Sequence, residues 1–208
     1  MGTERKKSET ENAPGLLLII SGPSGVGKTT IAREVEKRLG GVFSVSTTTR
    51  PKAPHDQQGI DYYFVDHEAF DRLRGEGAFL EWAEVFGNCY GTPRDAVEKA
   101  LNEGRLMILE IDVKGAMQVK SNMPDAFAMF IRPPDEQDLL ERLRARKRDK
   151  EQVIQSRFAQ ARDEMHKAET CGAYDVFLVN DDLEPAIERA VLRVREELER
   201  RRGGGGGN

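Results

Sequence analysis

The sequence predicts an α/β fold: a parallel sheet with helices on both faces. Three observations lead there. Apolar, strand-like runs alternate with segments of helical period through most of the 208 residues. A glycine-rich turn joins the first run directly to the first helix, and one central stretch breaks the alternation with short strands and many turn residues.

The first run is Leu16-Leu17-Leu18-Ile19-Ile20, and Gly22-Pro23-Ser24-Gly25-Val26-Gly27-Lys28-Thr29 follows it. That is the G-x-x-x-x-G-K-[ST] pattern of a phosphate-binding loop, in the strand-to-helix setting that lets backbone N–H groups converge on a polyphosphate. Glycines allow close approach of the backbone to the phosphates. Lys28 is placed to reach the β- and γ-phosphates of a bound nucleotide, and the Thr29 hydroxyl to ligate the bridging Mg²⁺, with Thr30 one residue beyond the motif.

A helix is expected over residues 29–39, where Ile31, Val35 and Leu39 share a face, until Gly40-Gly41 stops it. Residues 43–48 then alternate as one strand. The central stretch, 49–92, reads as a small insert with strands at 62–65 and 79–86 and a helix at 67–74. A helix with Pro93 at its start covers 93–103. Residues 106–112 form a second buried strand whose acids, Glu110 and Asp112, lie two apart and so share a face at its C-terminal end. Helices at 113–121, 135–146, 151–170 and 183–202 and strands at 126–131 and 176–179 complete the pattern. The last helix carries Ile187, Ala190, Val191, Val194 and Leu198 on one stripe.

Composition narrows the partners. With 32 Lys plus Arg against 36 Asp plus Glu, the net charge of −4 creates no field that recruits nucleic acid or an anionic membrane. The longest apolar run is far short of the ~20 residues that span a bilayer, and no signal core precedes it, so a cytoplasmic location is expected. Cys89 and Cys171 read as packing thiols. Residues 1–14 are polar and aperiodic and read as a disordered lead-in, and the glycines of 203–208 as a flexible tail.

A phosphate loop alone serves motors, switches, pumps and kinases, so the second substrate must discriminate. Ser46-Thr47-Thr48-Thr49-Arg50, then Gly59-Ile60-Asp61-Tyr62-Tyr63-Phe64-Val65, then Phe79-Leu80-Glu81-Trp82 and Asn88-Cys89-Tyr90-Gly91-Thr92 follow the loop in order, with Leu109-Glu110-Ile111-Asp112 and Val179-Asn180-Asp181-Asp182 further on. Over about residues 16–200 this resembles the guanylate kinase family. The resemblance implies a phosphate-loop core (15–47, 94–136 and 163–202), an inserted α+β subdomain that binds GMP (48–93) and a helical lid (137–162). It implies transfer of the γ-phosphoryl group of ATP to GMP, and to dGMP, with Mg²⁺, in purine nucleotide metabolism, by a monomer or homodimer.

Residue by residue, the resemblance makes Glu81 the carboxylate that reads guanine N1–H and N2–H, with hydroxyl contacts from Ser46 and Thr92. Such a site rejects adenine by roughly 10⁴–10⁵-fold, because the donors are reversed. Arg50, Tyr62 and Tyr90 fall on ligands of the GMP phosphate, Glu110 and Asp112 on the acceptor site, and Asn180 beside the adenine. The cation-rich run 142–150, on its own a solvated helix face, resembles the lid, with Arg142, Arg146 and Arg157 on its arginines. These can be worth about 10³–10⁵ in rate in related phosphoryl transfers. The chain departs from the family at Pro51-Lys52-Ala53-Pro54-His55-Asp56: Ala53 replaces a second phosphate-binding arginine, with Lys52 one position earlier to supply the charge. Lys147 replaces a glycine at the lid hinge. Two other readings fit a guanylate-kinase-like chain. A non-catalytic protein-binding module typically lacks a working phosphate loop, and a kinase of phosphorylated sugars has no use for Ser46, Glu81 and Thr92.

Overall fold

The computed structural model describes residues 15–85, 87–145 and 150–203. Its strands are β1 (Leu16–Ser21), β2 (Val42–Phe43), β3 (Thr47–Thr48), β4 (Tyr63–Phe64), β5 (Phe79–Val85), β6 (Asn88–Pro93), β7 (Leu106–Glu110), β8 (Phe127–Arg132) and β9 (Val176–Val179). Its helices are α1 (Lys28–Leu39), α2 (His67–Gly75), α3 (Arg94–Asn102), α4 (Val113–Asn122), α5 (Glu136–Ala145), α6 (Glu151–Thr170) and α7 (Leu183–Gly203).

The core sheet has the order β2-β7-β1-β8-β9, and every pairing in it is parallel. Parallel strands need crossover helices, which cover both faces and make the strands apolar throughout. β1 shows this directly. Leu16, Leu18 and Ile20 point into the cluster that holds Ile31 and Val35 of α1 and Ile187, Val191 and Val194 of α7. Leu17 and Ile19 point the other way, to Val97 of α3 and Ala116 and Val119 of α4. Truncating a fully buried residue here, such as Ile19 to Ala, removes about 2–5 kcal/mol of stability.

The insert forms a second, mixed sheet in the order β4-β3-β6-β5. The single strand expected at 43–48 is two strands in different sheets. Ser44 N–H still donates to Ile108 O in the core, whereas Ser46 O already accepts from Tyr63 N–H in the insert. A period of two reports alternation and not which partner is paired, so the switch was hidden. β6 was not anticipated: it pairs with β5 through Asn88 and Thr92. Pro93 precedes α3 as its N-cap, and Gly203 ends α7 instead of beginning a tail. The expected lead-in at 1–14 and the remaining glycines at 204–208 lie outside the described residues.

Candidate active site

β1 delivers the phosphate loop at the C-terminal end of the core sheet, and α1 leaves from it. Gly27 sits at φ +94°, a backbone that side chains rarely adopt, and α1 begins at Lys28 with no side-chain cap and no acid in its first turn. Its first N–H groups and the positive end of its dipole therefore face the loop as an anion seat. Gly22 and Pro23 are buried, Ser24, Gly25, Gly27 and Lys28 half-buried, and Thr29 and Thr30 exposed. Val26 is fully buried and anchors the loop in the core.

Asn180 forms the floor of this loop. It is 3% exposed, its Nδ2 donates to Val26 O over 2.7 Å, and a Cβ on Gly27 would stand 2.7 Å from that same nitrogen. The side chain expected beside the adenine is hydrogen-bonded to the loop's own carbonyl. Arg142 of α5 reaches the same turn, its Nη2 donating to Asn180 O (2.8 Å) while Nε pairs with Asp138 (2.6 Å). Arg189 holds the Asp181 carboxylate at 2.7 Å, below its usual titration range.

At the end of β7, Glu110 Oε1 accepts a 2.6 Å hydrogen bond from Thr29 Oγ1. Asp112 is not on the strand with it. β7 stops at Glu110, and Asp112 becomes the N-cap of α4, its Oδ1 accepting from Gly115 N–H over 2.8 Å. The shared-face expectation fails there because capping a helix demands an extended residue after the strand has ended.

The insert contributes a buried carboxylate. Glu81 on β5 is 7% exposed, and its Oε1 accepts from Thr92 Oγ1 on β6 over 2.6 Å. Burial pushes its carboxyl up from the usual range, against the Thr92 hydrogen bond, and the nearby Asp112 charge adds to the rise. Ser46 is half-buried just before β3. Arg50, Tyr62 and Tyr90 come together: the Arg50 guanidinium lies 5.3 Å from the Tyr62 ring centre, and the two tyrosine rings meet edge-on at 5.9 Å. Arg50 Nη2 also binds Asp56 Oδ2 at 2.8 Å. The Ala53 N–H donates to that same oxygen, and these bonds hold Asp56 below the usual carboxylate range.

Comparison with known proteins decides what this arrangement belongs to. The family model described as guanylate kinase matches residues 15–197. A guanylate kinase of Thermobifida fusca is 49% identical over 182 residues, covering 87% of this chain and 91% of that one. One of Carboxydothermus hydrogenoformans is 46% identical over 185 residues, covering 88% and 89%. The chain belongs to the guanylate kinase family. The crystal structure of a guanylate kinase from Anaplasma phagocytophilum agrees, with a TM-score of 0.67 at 34% identity over 90% of this chain and 88% of that one. Phosphorylation of GMP by ATP is the reaction of this family.

Set in a guanylate kinase, the expected residues divide into three groups. The loop residues, Glu110 and Asn180 meet at one end of the core sheet, and Glu81 with Thr92 and Arg50 with Tyr62 and Tyr90 form two clusters in the insert. Arg157 is half-buried on α6, while Arg146 and the hinge residue Lys147 lie outside the described residues. Lys52 is exposed beside Arg50. One acid was missed: Glu164 on α6 is half-buried, takes a 3.1 Å hydrogen bond from Gln160, and joins Asp112 and Lys114 in lining a cavity of about 290 Å³ between α4 and α6. Burial raises its carboxyl, and the Lys28 charge opposes that rise. No motif marks Glu164 in the sequence; only the packing of α6 against α4 brings it there. Among the described residues, no helix is long and apolar enough to cross a membrane.

Proposed function

We propose that this chain carries out the family reaction with the residues assembled above, transferring the γ-phosphoryl group of ATP to GMP or dGMP to give ADP and the nucleoside diphosphate. The observation that carries the reading is the buried Glu81 carboxylate, one oxygen bound to Thr92 and the other facing the first turn of α4, in a chain whose α1 N-terminus is an uncapped anion seat. A carboxylate costs free energy to bury and is retained where a ligand supplies donors. Guanine supplies two, N1–H and N2–H.

In this reading residues 48–93 bind GMP, residues 137–162 are the lid, and the rest of 15–202 is the core. Glu81, Thr92 and Ser46 hold the base. Arg50, Tyr62 and Tyr90 hold its phosphate, and Lys52 supplies charge where Ala53 has none. Gly22, Pro23, Ser24, Gly25, Val26, Gly27, Lys28, Thr29 and Thr30 hold the ATP phosphates, above a floor kept by Asn180.

Thr29 and Glu110 offer the hard oxygen donors that suit Mg²⁺, which usually keeps several waters and binds through few protein groups and substrate phosphates. Bound there, Mg²⁺ neutralises phosphate charge. Asp112 at the acceptor side orients what lies between α4 and the loop. Lys28 stabilises the migrating charge, and Arg142, Arg146 and Arg157 act from the lid. The attacking oxygen belongs to a phosphate already ionised near neutral pH, so these residues position and neutralise and are not needed as a strong base. Closure of lid and insert excludes water that would otherwise take the phosphoryl group. The enzyme acts in the cytoplasm, as a monomer or homodimer, on small molecules and not on nucleic acid or membrane. GMP-dependent ADP formation from ATP and Mg²⁺, abolished in Lys28→Ala, tests the proposal.

A further inference from the structure

We infer that Gly115, Gln118 and Asn122 on α4 are positioning residues that fix the Glu81 carboxylate for guanine, an inference that rests on the assignment of Glu81 made above. β5 is the last strand of the insert sheet, so one side of its backbone has no strand partner. α4 runs along that open side. Gln118 treats Trp82 as a neighbouring strand would: its Oε1 accepts from Trp82 N–H (3.2 Å) and its Nε2 donates to Trp82 O (3.0 Å). One turn on, Asn122 Nδ2 donates to Leu80 O over 2.7 Å. Residues 115, 118 and 122 share one helix face at i, i+3 and i+7.

The residue between the two clamped positions is Glu81, and the β5–β6 register shifts between Phe79 and Glu81, a bulge of the kind that re-aims a side chain. Gly115 faces that carboxylate. A Cβ on Gly115 would stand 3.0 Å from Glu81 Oε2, tighter than ordinary contact, and 3.4 Å from Ile111 Cβ. Gly115 is helical and has no positive φ, so conformation does not call for glycine there. In a helix glycine costs roughly 1 kcal/mol relative to alanine. Space for the carboxylate is what requires it. On its other side α4 buries Ala116 and Val119 against the core sheet, so the amide contacts tie Glu81 to the core as well as to Thr92 of the insert.

The test compares Gly115→Ala, Gln118→Leu and Asn122→Ala with Glu81→Ala, using GMP and inosine monophosphate, which lacks the 2-amino donor. Each α4 variant should raise the KM for GMP about tenfold and shrink the preference for GMP over inosine monophosphate, with the KM for ATP changed by less than about twofold, the signature of a base contact displaced by a fraction of an ångström. Gly115→Ala should do so without a fall in melting temperature. Unchanged GMP KM and unchanged preference in folded Gly115→Ala and Gln118→Leu, with both lost in Glu81→Ala, would overturn the inference alone. If Glu81→Ala itself leaves the preference intact, the reading of Glu81 fails and takes this inference with it.

Discussion

Thr29 Oγ1 donates a 2.6 Å hydrogen bond to Glu110 Oε1, tying the last residue of the phosphate loop to the C-terminal end of β7. The contact aims the hydroxyl proton at the carboxylate, which leaves the oxygen's lone pairs free to accept or to ligate.

Removing Glu110 frees that hydroxyl to rotate. Glu110→Ala should raise the Mg²⁺ concentration needed for half-maximal rate by about 10–100-fold, the usual cost of losing a group that orients a metal ligand. Initial rates across a Mg²⁺ series at saturating GMP measure this. An unchanged Mg²⁺ dependence would mean that Glu110 has no part in the metal site.

Glu81 carries the clearest conflict between stability and use. Its folded carboxyl lies above the ordinary value of 4.5, so the ionised form is disfavoured by folding, and the penalty is fully present above the folded value. Glu81→Gln keeps an acceptor for Thr92 and removes the charge. Its melting temperature should therefore exceed that of the unaltered protein at neutral pH. The difference should close as pH falls below 4.5, where the carboxyl is protonated in both states. GMP KM should rise as pH falls toward the raised value in the unaltered protein and stay flat in Glu81→Gln. Melting curves and GMP titrations across pH check both.

Asn180 faces the loop, so its loss should disturb phosphate binding rather than base choice. Asn180→Ala should raise the KM for ATP and for GTP as donors by a similar factor, about tenfold for one buried hydrogen bond and the unpaired Val26 carbonyl it leaves. A change in the ATP-to-GTP ratio would return Asn180 to reading the ring.

Lys52 is exposed, two residues after Arg50. Lys52→Ala should raise the KM for GMP several-fold with kcat held, and more at low salt than at high, since exposed charge is screened. An unchanged KM at both would leave Arg50 and the tyrosines as the whole subsite.

Much of this was readable before any coordinates. The phosphate loop is contiguous, so Gly22 through Thr29 carry their geometry in their spacing, and β1 followed from the unbroken apolar run ahead of it. What stayed hidden depends on partners far apart in the chain. The change of sheet between Phe43 and Thr47 leaves the alternation intact. Asp112 left its strand because α4 needed a cap, which residue spacing on β7 does not reveal. Gly115, Gln118 and Asn122 look like an ordinary polar helix face until β5 is laid beside them. Asn180 was matched to the right turn, but its direction depends on Val26, 154 residues earlier.

The proposed reaction joins a phosphate loop to a guanine-reading carboxylate. It is tested most directly by ADP formation from ATP and Mg²⁺ with GMP, dGMP, AMP, CMP, UMP or no acceptor, alongside Lys28→Ala. Turnover is expected with GMP and dGMP, at least about 10³-fold above AMP in kcat/KM, and none in the variant. ATP binding without GMP-dependent turnover, or equal use of AMP, would contradict it.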